Sequence, residues 1–544
     1  MNAINNCAGM GCQSHQQYEY YSSSYCNAQT EKFKCLSFSK QLLACRLQED
    51  PSSLFTEHCP AGKVDDNRRM DTYDKHSEET LIRIWHIQCT IIMTLIAIAM
   101  ARVAGKLLPN GQRECKSWLQ VFAVEFVMIS LPAVVSVNIA NKYVEYILAV
   151  AIAVLAFVSW RSKCLPRAAQ REFEFGRRPS LFTLLRSTIS LLTVLCILAI
   201  DFASFPRKFR KSRRYGAGLM DVGIGLFVFS MALVSPRAKR LADLRKQFFP
   251  VGCMLALGLA RTIVITSIDY HQDEHEYGKH LNAFFTLGLT KMFATIFGLL
   301  ARNDKYLFPM GIVILVVHEI TLQCGLSEYV LDPDLQRTDL LSANREGLCS
   351  LPGFIALFIL SQYFGQWIKS KDILNYEEIK QKLKHLIIIS IALWLIVISS
   401  TLAIGMARVT CNFAYVTWML AISVTMCSLY LFVFDIVLDT LLPVASKENR
   451  IAMVANQIEA STEGTPLTKS VNALGETKIP TFIESINYNG LLYFLLGNVL
   501  TGMVNIFLGT DDRSDTESVL ILMAYMLVTG GVVSLLYRYK IRIA

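Results

Sequence analysis

The chain has 544 residues, of which 53% are hydrophobic and 18% charged, with a mean hydropathy of +0.38. As a soluble globule it would expose far more apolar surface than water tolerates, so the composition excludes an ordinary soluble enzyme and places the chain in a bilayer. The formal charge of +9 does not point to nucleic acid, because Lys and Arg sit in short loops at the ends of apolar runs, where they orient helices in a membrane.

Residues 1–80 have a composition of their own: polar, with the run YEYYSSSYC and with Cys7, Cys12, Cys26, Cys35, Cys45 and Cys59, six of the fifteen cysteines. That density fits a small disulfide-stapled module in an oxidising lumen, although no apolar signal run precedes it and the spacing matches no zinc pattern. Met70, before DTYDKHSEETL, is an alternative start. The segment is read as a Cys-rich extension with no part in the chemistry, and residues 81–544 as one multi-pass membrane domain. The other nine cysteines read as packing residues.

From residue 84 onward, apolar windows of about 18 to 23 residues recur, each long enough to cross about 30 Å of hydrocarbon as a helix. Thirteen spans are expected: 84–101, 118–138, 143–160, 181–203, 217–236, 248–268, 283–301, 307–326, 353–368, 385–406, 414–436, 488–508 and 517–537. Backbone amides in lipid must be satisfied within the protein, and these runs lack the alternation of barrel strands. The expected fold is therefore all-α, a polytopic transmembrane helical bundle of about thirteen membrane-spanning helices.

Positively charged loops resist translocation, so Lys and Arg counts orient the bundle. The loops after the odd-numbered spans, with the C-terminal tail, carry 29; the opposite set carries 6 when residues 204–216 are left out. The N-terminus is accordingly expected in the lumen and the C-terminus in the cytoplasm. The omitted stretch breaks the rule: AIDFASFPRKFRKSRRYG holds Arg207, Lys208, Arg210, Lys211, Arg213 and Arg214 on the side where cations are scarce. A snorkelling collar accounts for any one of these residues. For the cluster as a whole, beside an acid, recognition of an anionic headgroup is the better reading, since guanidinium and ammonium groups suit phosphate.

Charges within spans are costly and mark either function or buried ion pairs. They are Glu125, Arg186, Asp221, Arg261, Lys291, His318, Glu319 and Asp435, with Arg261 or Lys291 against Asp221 as examples of a structural pair. After span 6 comes SIDYHQDEHEYGKHLNAFFTL, in which His271 and His275 would share a helix face; HEXXH is absent, and no metal site is assigned. LLSANREGLCS lies before span 9, and ESINYNGLLYFLLGNVLTGMVN leads through span 12, where Asn498, Thr501 and Asn505 recur at helical spacing on a face expected to look into the bundle. The basic cluster, the His-rich loop and the SANREG loop fall on one side of the expected topology, and one site is the simpler explanation. P-loop, Rossmann, GxSxG and HEXXH patterns are absent, which leaves nucleotide-driven pumping, hydride transfer and ordinary serine or zinc hydrolysis unsupported.

At these islands the sequence resembles the GPI inositol acyltransferases, through DFASFPRKFRKSRRYGAGLMDVGIGLFVFS, EYGKHLNAFFTL, SANREG and ESINYNGLLYFLLGNVLTGMVN. The resemblance runs from about residue 84 to the end. It implies an endoplasmic reticulum membrane enzyme that moves a fatty acyl group, usually palmitoyl, from acyl-CoA to the inositol 2-hydroxyl of glucosaminyl-phosphatidylinositol, with no further cofactor. The family's D-F-x-x-F-P-R-[RK]-F-x-K motif is intact and places its functional acid and lysine on Asp201 and Lys211. The pattern departs after span 6, where Y-Q-E-H is replaced by Tyr270, His271, Gln272, Asp273 and H-W-N by His280, Leu281, Asn282. That argues against catalysis by His271 or His275 and leaves Glu276, Tyr277, Gly278, His280 and Asn282 eligible.

On this reading Asp201 is a general base that takes the proton of a sugar-like hydroxyl as it attacks the thioester. Lys211, brought back by the turn at Pro206, either tunes that acid or stabilises the oxyanion. Arg207, Lys208 and Arg210 are candidates for the lipid phosphodiester or the CoA phosphates, and Phe202, Phe205 and Phe209 for the acyl path or interfacial anchoring. Asn344, Arg345, Glu346, Asn498, Thr501 and Asn505 complete the candidate binding set. Direct transfer is preferred to an acyl-enzyme on Cys196, which has no adjacent His. Two alternatives stay open: a polytopic lipid transporter or scramblase, and a membrane-bound O-acyltransferase with His280 or His318 as base and another acceptor.

Overall fold

A helix satisfies its own amides, so each apolar run has one stable solution in hydrocarbon, and the computed structural model shows it. It describes residues 66–107, 118–161, 172–175, 179–267, 274–333, 335–438, 479–510 and 513–543. The six N-terminal cysteines and the motif residues Tyr270 to Asp273 lie outside these. The chain divides after Arg69 into two units, and the membrane bundle is the second, Met70–Ala544.

The helices are α1 Asp66–Leu107, α2 Trp118–Val137, α3 Val144–Arg161, α4 Ser180–Ala199, α5 Leu219–Val234, α6 Leu241–Ser267, α7 Ala283–Leu300 and α8 Leu307–Thr321. They continue with α9 Ser327–Leu331, α10 Leu340–Ala343, α11 Arg345–Ile368, α12 Tyr376–Ile404, α13 Phe413–Tyr430, α14 Thr481–Tyr488, α15 Gly490–Phe507 and α16 Asp515–Arg538. Every expected span corresponds to a helix. Among the described residues twelve are long and apolar enough to cross a membrane, and the fifth span, α5, is a shorter apolar helix. The protein is a polytopic, all-α membrane protein.

Helix ends differ from the hydropathy windows where polar residues continue or stop a helix. α12 starts at Tyr376 because Asn375 and Glu378 form a capping box, with the Asn375 amide donating to Glu378 at 3.0 Å. α11 takes in Arg345 and Glu346, which the hydropathy pattern leaves in a loop. α4 stops at Ala199, four residues short of the apolar run. A feature without a sequence signal is the antiparallel ribbon β1 (Glu172–Glu174) with β2 (Ile373–Asn375), paired Phe173 to Leu374.

α1, α4, α11 and α13 supply the interior, and Trp418, Tyr415 and Tyr430 of α13 are fully buried. α11 packs between α5 and α8, α4 against α5, α14 and α15, and α12 along α13. α3, α6, α12 and α15 turn most of their apolar surface outward, as lipid-facing helices do.

The acids inside spans act largely as helix caps. Glu125 of α2 accepts the amides of Thr481 at 3.2 Å and Phe482 at 2.8 Å, serving the open N-terminus of α14, whose own N-cap is Pro480. Glu319 accepts the Phe413 amide at 2.8 Å at the start of α13, and Asp435 accepts the Ser180 hydroxyl at 3.2 Å at the start of α4. A carboxylate there meets both orphan N–H donors and the positive end of the helix dipole. Glu125→Ala is expected to lower stability by about 1–2 kcal/mol through loss of that cap, whereas Glu125→Gln keeps an acceptor and costs less. Thermal unfolding of the detergent-purified variants checks the order.

Candidate functional site

The site forms where the chain leaves α4. The Asp201 amide donates to the Leu198 carbonyl and the Phe202 amide to Ala199, both at 3.2 Å, so the helix closes in a turn that leaves the Asp201 side chain part-exposed. Phe202, Phe205 and Phe209 are at most 1% exposed, with the Phe205 and Phe209 rings 6.1 Å apart. Phe205, a candidate for the acyl path, is thus packed in the protein interior. The three rings are core anchors; Arg207 between them, and Arg210 and Lys211 just after them, are exposed. Pro206, at φ −62°, starts the short 3-10 turn Arg207–Phe209. Lys208 is half-buried, and burial lowers its pKa.

Asp201 Oδ2 accepts a hydrogen bond from Asn505 Nδ2 at 2.9 Å, from the far end of α15. The polar face expected on that helix divides. Thr501 is buried, donating to the Gly497 carbonyl at 2.9 Å, whereas Asn498 and Asn505 are exposed and Asn498 bonds back to the Phe494 carbonyl. Asn498 therefore does not look into the bundle, because its amide is satisfied within its own helix.

Lys211 Nζ donates to Glu276 Oε2 at 2.7 Å, and the other oxygen, Oε1, accepts from Arg408 Nη2 at 2.7 Å. Arg408 is 4% exposed, lies 5.0 Å over the Tyr277 ring and reaches within 3.9 Å of Asp221. Asp221 also accepts from the Ser212 amide at 3.0 Å and the Gly218 amide at 2.9 Å. Gly218 must be glycine, since a Cβ there would stand 2.0 Å from the Arg210 carbonyl oxygen. The basic partner of Asp221 is thus Arg408, not Arg261 or Lys291. Lys211 likewise pairs with Glu276, an acid from another loop. Burial by itself raises the Glu276 carboxyl, but the Lys211 and Arg408 cations outweigh it and hold it down to about 2. Burial pushes Tyr277 up to about 12. Burial works against the Arg408 charge, yet Tyr277, Glu276 and Asp221 reverse that and keep it firmly protonated.

A third segment docks on the same turn. Asn344 Oδ1 accepts the His280 amide at 2.8 Å, and the Lys279 amide bonds the Ala343 carbonyl at 2.8 Å. Arg337 bridges Glu346 at 2.6 Å and Glu274 at 3.3 Å, while Arg345 pairs with Glu346 at 3.4 Å. Asn282 caps α7 through the Phe284 amide at 3.0 Å and donates to the Gly258 carbonyl at 2.8 Å. Asn282, Asn344, Arg345 and Glu346 are each at most 4% exposed. These four candidate binding residues are buried and hold the loops in register, and His280 is the exposed member of the set. His275 lies in a turn closed by the Gly278 amide on the Glu274 carbonyl at 2.9 Å, and His271, its expected partner on a helix face, is outside the described residues.

A small apolar cleft, with a cavity volume of about 60 Å³, opens between α4 and α5. It is lined by Leu185 and Cys196 of α4, Met220 and Leu226 of α5, Ile91 of α1 and Met426 of α13.

The GWT1 family model matches residues 75–536. The chain belongs to the GWT1 family. It is 31% identical over 379 residues to GPI-anchored wall transfer protein 1 of Yarrowia lipolytica, covering 66% of this chain and 72% of that protein. To the same-named protein of Schizosaccharomyces pombe it is 29% identical over 440 residues, 77% and 88% of the two chains. To the glucosaminyl-phosphatidylinositol-acyltransferase PIGW of Bos taurus it is 29% identical over 444 residues, 76% and 87%.

In this GWT1 chain the residue that sequence reasoning missed is Arg408. Its signal was present: it is the lone cation between two long apolar runs, in GMARVTCN, on the side poor in Lys and Arg. Because the folded Glu276 pKa is depressed, its ion pairs add stability above about pH 4.5 and lose it as the pH falls toward 2. The gap in thermal stability between wild type and Glu276→Gln should be constant from neutral pH down to about 5 and close below that.

Proposed function

We propose that this chain is the inositol acyltransferase of GPI-anchor assembly. It takes a fatty acyl group, palmitoyl, from acyl-CoA and places it on the inositol 2-hydroxyl of glucosaminyl-phosphatidylinositol in the endoplasmic reticulum membrane. The N-terminus is lumenal and the C-terminus cytoplasmic, as the loop charges favour. Residues 81–544 carry the activity, with residues 1–80 an extension outside it. The name of the bovine relative supports the acceptor, and the resemblance of the Asp201–Lys211 motif supports the reaction.

The observation that carries this reading is Asp201. It is a part-exposed carboxylate at a helix end, oriented by Asn505, with Arg207 and Arg210 exposed on the turn after it. Asp201 takes the inositol O–H proton as that oxygen attacks the thioester carbonyl. The tetrahedral intermediate then collapses, the C–S bond breaks, and the thiolate leaves with the proton returned from Asp201. The new bond is an ester. Arg207, Lys208 and Arg210 bind the phosphodiester or the CoA phosphates. Lys211 stands beside Glu276, so its charge is partly balanced before substrate arrives, which favours orientation of the acceptor over service as a bare oxyanion donor. His318 is a poor rival base: it is 4% exposed and its Nε2 lies 2.9 Å from the Thr410 carbonyl.

In cells lacking inositol acylation, Asp201→Asn should lower transfer by about 10²-fold or more and Lys211→Ala by less, with unacylated glucosaminyl-phosphatidylinositol accumulating at normal protein level. Full acylation by both variants would end the assignment.

A further inference from the structure

We propose that His280 acts as a hydrogen-bond donor, presenting Nε2–H to a phosphate oxygen of the acceptor's phosphodiester, and that Asn344 is the positioning residue that fixes this tautomer. This role rests on the reading of the Asp201 turn as the site of inositol acylation.

The surroundings of the Asn344 side chain allow it one orientation. Its Oδ1 accepts two backbone amides, those of His280 at 2.8 Å and Leu281 at 3.2 Å, and an amide N–H can only donate. Its Nδ2 lies 2.9 Å from the Leu340 carbonyl, which can only accept. Inverting the group would set oxygen against oxygen. The second N–H of Nδ2 is therefore the donor toward His280 Nδ1, 3.1 Å away. An imidazole that accepts at Nδ1 carries its proton on Nε2. Among the described residues Nε2 has no hydrogen-bond partner, and His280 is exposed.

The backbone beneath the ring is fixed. Gly278, at φ +94°, lets the two loops touch, since a Cβ there would stand 2.5 Å from Asn344 Cα. The His280 carbonyl accepts the Thr262 hydroxyl of α6 at 3.2 Å. One ring nitrogen is thus satisfied on a rigid base while the other is held out bare, the preorganisation that a ligand contact gains from and that packing does not need.

The charges around the ring select the ligand. Glu276, four residues before His280, holds Lys211 at 2.7 Å, and Arg207, Arg210 and Lys279 are exposed on the same two loops. An N–H donor among cations suits an anionic oxygen. In phosphatidylinositol the phosphate sits on the ring carbon next to the one bearing the 2-hydroxyl, so a grip on its oxygens also places that hydroxyl for Asp201. The same geometry removes His280 as a rival base. A base needs a lone pair facing its substrate, and the one on this ring is taken by Asn344.

Substitutions that copy one ring nitrogen each provide the test, since Gln reaches the place of Nε2 and Asn only that of Nδ1. In microsomes given glucosaminyl-phosphatidylinositol and palmitoyl-CoA, His280→Ala and His280→Asn should raise the acceptor KM about tenfold or more, the worth of one hydrogen bond to a charged group, with the acyl-CoA KM unchanged. His280→Gln should recover most of that loss. Asn344→Asp, which cannot donate to Nδ1, should raise the acceptor KM when His280 is present and add nothing in the His280→Gln background. If Asn344→Asp fails to fold, the three His280 variants decide alone. Recovery by Asn and not by Gln would overturn the proposal, reducing the ring to a brace for the loops. So would constants unchanged in every variant, a rise confined to the acyl-CoA KM, which would assign the donor to the CoA phosphates, or equal loss of kcat in all three at unchanged KM, as a base would give. Full transfer by Asp201→Asn in the same membranes would instead defeat the underlying assignment of the site.

Discussion

The site depends on one buried guanidinium. Arg408, sealed from solvent between Glu276, Asp221 and the Tyr277 ring, is bonded to the segment after α6, touches the acid that caps α5, and belongs to the link between α12 and α13. Breaking such a pair by removing one partner strands a charge in a low-dielectric interior, which makes the arrangement close to all-or-none. Lys211 enters the same cluster from the basic loop, giving two cations against two carboxylates. The cluster thus fixes one end of the basic loop, as the three buried phenylalanines fix the other. Between them the chain has little freedom, and Asp201 is held where α4 ends.

Hydrocarbon imposes a further economy. A carboxylate within a span is expensive unless it meets donors, and helix N-termini are the donors a helical bundle always has. Glu125 and Glu319 cap helices other than their own, and Asp221 caps its own while binding Arg408. These acids join segments far apart in the chain: Glu125 ties α2 to α14 across more than 350 residues. Their apparent functional candidacy dissolves into architecture. Asp201 differs in standing beyond the last turn of its helix, part-exposed, with its Oδ2 accepting from the Asn505 side chain of another helix.

The same distinction sorts the polar islands. The segments around Glu276 and Asn344 are bound tightly to one another through Asn344, Arg337 and Glu346. Their buried members form the support of a surface on which Arg207, Arg210, His280 and Lys211 are exposed. Burial makes the first group rigid, and exposure leaves the second accessible to a charged headgroup.

What the sequence by itself determined is the set of helices and the family, because hydrophobic runs of membrane length have one backbone solution and because the motif around Asp201 is contiguous. Contiguity also made Lys211 and the basic cluster legible. The partners were not: Glu276 for Lys211, Arg408 for Glu276 and Asn505 for Asp201 each come from another part of the chain, 65, 132 and 304 residues away. Ion pairs and hydrogen bonds act over a few ångströms, and sequence spacing carries no record of which loops meet at that range. The helical spacing of Asn498, Thr501 and Asn505 was real, yet which of them faced inward was decided by the neighbours α15 packs against. Only the tertiary structure could settle that, since a helix shows its periodicity in sequence but its orientation only in contact with others.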